Sequence, residues 1–155
     1  MSAGASCAAS DTLPASQIKR MRDQLASRTP AELKTQQEAF GIQCRNLKKI
    51  HDAGVKIAFA TDAGVDVGWT VHTELADMVR CGLTPAQAVV AATRTAAEIT
   101  KLDRLGTVAA GKSADFIVLD ANPLDAITNT RRIGRVYLRG KEVDRAALRA
   151  SLSAP

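Results

Sequence analysis

One carboxylate in this sequence stands where chemistry is done in many folds. Asp62 closes the run Val55-Lys56-Ile57-Ala58-Phe59-Ala60-Thr61, which is short and almost wholly apolar. A run of that kind, directly after a long helix, predicts a parallel strand buried on both faces. Barrels and open sheets of the α/β class place their reacting groups at the carboxyl ends of such strands. The small neighbours Thr61 and Ala63 leave room there for a ligand. On placement alone, an aspartate that caps the following turn is the commoner case.

Few other side chains compete for a role. The histidines are His51 and His72, the cysteines Cys7, Cys44 and Cys81, with no H-x-H and no C-x-x-C. Such spacing suggests neither a disulfide framework nor a zinc knuckle, so a reduced, cytoplasmic setting is expected. Cys44 reads as a core residue of a long helix. Cys81 ends a helix, where the negative dipole end discourages a thiolate. Trp69 and Asp66 follow Asp62 in the chain and could line a pocket or stand in solvent.

The elements that must position these residues can be read from pattern. Ile18, Met21 and Leu25 have helical spacing over 16–27. Thr29-Pro30-Ala31-Glu32 is a capping box with proline at the first helical position. The helix it opens carries Leu33, Gln37, Phe40, Cys44, Leu47 and Ile50, and Gly54 suits its stop. A further helix is expected from about Val71 to Cys81. Thr84-Pro85-Ala86-Gln87 opens another through about Ala92, with a bend and restart at Thr95-Ala96-Ala97-Glu98. Beyond Leu102 the texture changes to short β-branched runs, Thr107-Val108, 115–119 and 133–138, with Arg139-Gly140-Lys141 as a hairpin turn.

The 155 residues are 46% hydrophobic and 24% charged, a globular composition sized for one domain. No apolar run approaches the roughly 20 residues of a membrane span. The first ten residues lack the basic start and apolar core of a signal peptide. Residues 131–149 hold seven bases against Glu142 and Asp144, a surplus that equals the whole net charge of +5. A solvated strand and helix face accounts for it better than a nucleic-acid site, which would want aromatic interleaving or a zinc pattern.

Three stretches together resemble a known family. They are Ala53 to Gly64, His72-Thr73-Glu74-Leu75 with Gly82-Leu83-Thr84-Pro85-Ala86-Gln87-Ala88, and Leu105 to Pro123. The last is similar to a G-T-hydrophobe-x-x-G-K-x-A-D-hydrophobe signature. The family is the metal-dependent amidohydrolase superfamily, in its imidazolonepropionase-like and Xaa-Pro dipeptidase-like branch, and the likeness covers about residues 30–143. It implies the α/β class: the C-terminal fragment of a TIM (β/α)8 barrel, with part of a small composite β-sandwich. The expected division is a flexible lead (1–15), a barrel segment (16–103), a β portion (104–145) and a tail (146–155).

The resemblance implies that Asp62 touches a divalent metal, zinc being the expected one, and shuttles a proton. His72 matches a histidine near the substrate. The metal would lower the pKa of bound water toward neutrality. A catalytic zinc needs about three protein ligands, and this chain offers too few. His51 precedes the strand and should lie roughly 20 Å from Asp62, at the opposite face. Lys112 and Asp115 of the signature are expected to stabilise turns.

Two functions are therefore expected to compete. One is a hydrolase portion acting on a small amide, cyclic amide or dipeptide, incomplete alone. The other is a non-catalytic assembly module whose open strand edge pairs with a second copy or a complementing chain. Neither membrane nor nucleic-acid partners are expected.

Overall fold

The computed structural model describes residues 15–62 and 67–153. The flexible lead expected before Ala15, and Asp66, lie outside the described residues. Helix α1 spans Ala15–Ala26 and α2 spans Pro30–Asp52. Thr29 and Glu32 form the expected box: the Glu32 N–H donates to the Thr29 hydroxyl at 3.3 Å, and the Glu32 carboxylate accepts from the Thr29 N–H at 2.8 Å. α2 ends in a Gly54 N–H donated to the His51 carbonyl at 2.9 Å. None of its 23 residues is buried.

Helix α3 spans Val67–Arg80, and Thr84 with Gln87 forms a second capping box for α4, Pro85–Val90. The bend expected near Thr95 is a π-helical segment, Ala91–Thr95, that runs on into α5, Ala96–Ile99. Gly106 seats against this segment. A Cβ there would meet the Ala97 Cβ at 2.6 Å and the Thr93 carbonyl oxygen at 2.8 Å, and its φ is +81°. Glycine is thus required twice over, by backbone conformation and by close approach.

The sheet is antiparallel, ordered β1 (Phe116–Leu119), β2 (Ile133–Leu138), β3 (Lys141–Glu142). Phe116 stands opposite Tyr137, and their rings stack at 4.7 Å. Arg139 and Gly140 both have positive φ, 52° and 79°, the signature of a tight primed hairpin turn. Asp115 accepts the Arg139 N–H at 2.6 Å, and Lys112 donates to the Asp103 carbonyl. Both residues therefore clamp turns, as expected. Thr107-Val108 forms no strand. Where a tail was expected, α6 spans Arg145–Ser153, its first turn held by Asp144, whose carboxylate accepts the Ala147 N–H at 2.9 Å.

The core joins Leu75 and Met78 of α3, Leu83, Ala88 of α4, Ala91 of the π segment, and Ile127 of the 3-10 turn Ile127–Arg131. Leu47, Ile57 and Phe59 pack against it, partly buried.

Two expectations are corrected here. Residues 55–60 form no strand and pair with none among the described residues. The Phe59 N–H donates to the Ala91 carbonyl at 3.0 Å, and Ile57 and Phe59 face the core, while Val55 is 56% exposed. Ile57, Ala58 and Phe59 are only partly buried and no residue of the segment is fully buried, because the strand neighbours and covering layers that complete a buried parallel strand are not among the described residues. The second correction concerns the cysteines: Cys44 and Cys81 form a disulfide, their Cα atoms 4.4 Å apart. A spacing of 37 residues carries no sign of it; only the packing of α2 on α3 brings the two together. The reduced, cytoplasmic setting therefore no longer follows from the cysteines.

Candidate functional site

Asp62 is exposed and lies three residues beyond the anchor of its segment at Phe59. The chain that follows it, 63–66, lies outside the described residues. His72 lies in α3, one residue past Val71, which packs on the core. The two residues enter from different elements, the open segment and the helix after it.

The histidine is the better defined of the pair. His72 is half-buried, and its Nδ1 lies 3.1 Å from the hydroxyl of Thr130. Thr130, 6% exposed, lies in the 3-10 turn and donates its hydroxyl proton to the Ile127 carbonyl at 2.8 Å. Burial first, then the positive charge of Arg131, push the His72 pKa below its ordinary value of 6.5. Both effects favour the neutral ring. In the sequence Arg131 stands only as one of the bases of 131–149, and a threonine 58 residues away from its histidine gives no local signal.

His51 lies in the last turn of α2, with its Nδ1 3.3 Å from Asp52, and borders a cavity of about 390 Å³ beside the start of the segment, with Val55, Ile57, Gln87 and Ala91. Among the described residues, no three of His, Cys, Asp or Glu gather where they could share a metal ion. Part of the basic stretch is engaged internally: Arg145 donates to the Ile133 carbonyl at 2.6 Å, and Arg135 lies 3.8 Å from Glu142. No helix among the described residues is long and apolar enough to cross a membrane.

Residues 5–143 match the model of the amidohydrolase family, and the chain belongs to that family. It is 32% identical over 110 residues to the imidazolonepropionase of Deinococcus radiodurans, an alignment covering 67% of this chain and 28% of that protein. Among solved structures it resembles phenylurea hydrolase B, with TM-score 0.61 and 35% identity over 66% of this chain and 27% of that one. A Xaa-Pro dipeptidase with methionine bound in its active site gives TM-score 0.60 and 34% identity, over 64% of this chain and 25% of that one. The chain thus spans about a quarter of the length of each.

Proposed function

We propose that this chain supplies the closing strand-and-helix unit of a (β/α)8 barrel, with part of a small β domain, to a hydrolase of C–N bonds. Its substrates would be small amides, cyclic amides or dipeptides. The observation that carries the reading is family membership over residues 5–143 with a carboxylate, Asp62, at the end of the core-anchored segment. Asp62 acts as the catalytic carboxylate: it takes a proton from the attacking water and returns it to the leaving amine. His72 contacts the substrate. The unpaired edges of residues 55–60 fit a barrel strand whose neighbours come from outside the described residues.

The family implies a divalent metal with Asp62 among its ligands, zinc being the one expected. A catalytic zinc site takes about three protein ligands, and the described residues bring no such group together. These residues do not fit the metal by themselves, and no step through it is drawn for this chain.

The test joins this chain behind the portion of the Deinococcus radiodurans imidazolonepropionase that it does not match, and assays hydrolysis of the ring amide. Turnover is expected, with Asp62→Asn lowering it roughly a hundredfold or more. Full turnover in that variant refutes the role given to Asp62.

A second reading, an assembly module, is favoured by one specific observation. Val55, Val108 and Leu138 are 56%, 84% and 57% exposed, and the segment 55–60 carries backbone groups outside any ladder. Such edges favour pairing with a second copy or a complementing chain. Light scattering on the purified chain should show self-association; a monodisperse monomer contradicts this reading.

A further inference from the structure

The contact between His72 and Thr130 determines more than position. A carbonyl oxygen only accepts, so at 2.8 Å the proton between Thr130 and the Ile127 carbonyl belongs to the threonine. A hydroxyl has a single proton. With that proton given to the Ile127 carbonyl, its contact 3.1 Å from His72 Nδ1 is the acceptance of a proton carried by that nitrogen. In a neutral imidazole, one nitrogen donates and the other accepts.

We propose that Thr130 is a positioning residue that holds His72 as the Nδ1–H tautomer, so that Nε2 is the ring's acceptor. A group that meets Nε2 is then a hydrogen-bond donor, such as an amide N–H, an amine or a hydroxyl, rather than a carboxylate. The neutral ring is favoured independently by its half-burial and by the nearby Arg131. The 3-10 turn contributes through its own bonding: it presents a hydroxyl whose proton is already committed, so the direction of the histidine bond is fixed before any ligand arrives. Placing His72 at the substrate rests on the function proposed above; the tautomer does not.

Nitrogen-15 NMR of the imidazoles of the full chain tests this, with His51→Gln assigning the second ring. At neutral pH the wild-type His72 should show a protonated Nδ1 and an unprotonated Nε2. Thr130→Ser should keep that pattern. Thr130→Val should shift the ring toward the Nε2–H tautomer, a change that a merely structural role would not produce. Titration with sodium acetate should leave Nε2 unprotonated. A wild-type ring protonated at Nε2 overturns the proposal, as does a Thr130→Val ring unchanged in tautomer, or an acetate-induced protonation of Nε2. If the valine variant does not fold, the wild-type and serine spectra still decide. None of these readouts is turnover, so an inactive completed enzyme would sink the hydrolase reading and leave this one standing.

Discussion

Replacing Cys44 by alanine should cost this chain a large part of its stability, and the structure says where. α2 buries none of its residues fully, and its hydrophobic hold on the core comes from the partly buried Leu47. Its contacts toward α3 include the disulfide to Cys81, the Arg80 guanidinium 4.7 Å from the centre of the Phe40 ring, and the stem of Lys48 beside Gly82. An exposed cation–π contact is worth about 0.5–1 kcal/mol. The disulfide joins residues 37 apart, and the chain-entropy model gives about 4 kcal/mol at 25 °C for a loop of that size. The covalent tie therefore outweighs the cation–π contact several-fold. For a chain of this length, a loss of that size lowers Tm by on the order of 10 °C. Thermal melts of wild type with and without a dithiol reductant, beside Cys44→Ala, measure it. Reduced wild type and variant should melt together, below the oxidised protein, and amide exchange in α2 should accelerate most. With three cysteines and two of them bonded, the unfolded oxidised chain should show one reactive thiol. Three thiols, or a melt indifferent to reductant, refute the reasoning.

Two further outcomes follow from single residues. Gly106→Ala places a Cβ 2.6 Å from that of Ala97 at a φ of +81°; a loss of about 1–3 kcal/mol is expected from the overpacking alone, read as a lower urea midpoint, and an unchanged midpoint contradicts the close approach. Burial and Arg131 hold the folded His72 pKa below 6.5, so the folded state binds fewer protons than the unfolded chain in the interval between the two values. Stability should accordingly be full above about pH 6.5, fall as the pH drops below it, and level off below the folded value. Urea midpoints across that range should show a shallower fall in His72→Gln, and an identical profile would remove His72 as the cause.

Local chemistry made much of the architecture legible. Thr29 with Glu32 and Thr84 with Gln87 satisfy backbone donors within four residues, so both helix starts were readable. Arg139-Gly140 specified its hairpin turn for the same reason. Lys112 and Asp115 announced a turn role through their motif, but not their partners Asp103 and Arg139, which lie 9 and 24 residues away. The family resemblance was likewise carried by contiguous stretches, and the family match bears it out.

What needed the tertiary structure was every contact between residues far apart in the chain. The pattern of residues 55–60 announces an extended segment, but whether it becomes a ladder depends on neighbours, and the described residues supply none. The bond between Cys44 and Cys81, and the hydroxyl of Thr130 beneath His72, arise only once α2, the 3-10 turn and α3 pack around Leu75 and Met78. Side-chain type determines what a residue is able to donate or accept. Which atom it meets is decided by the core that brings distant segments within bonding distance.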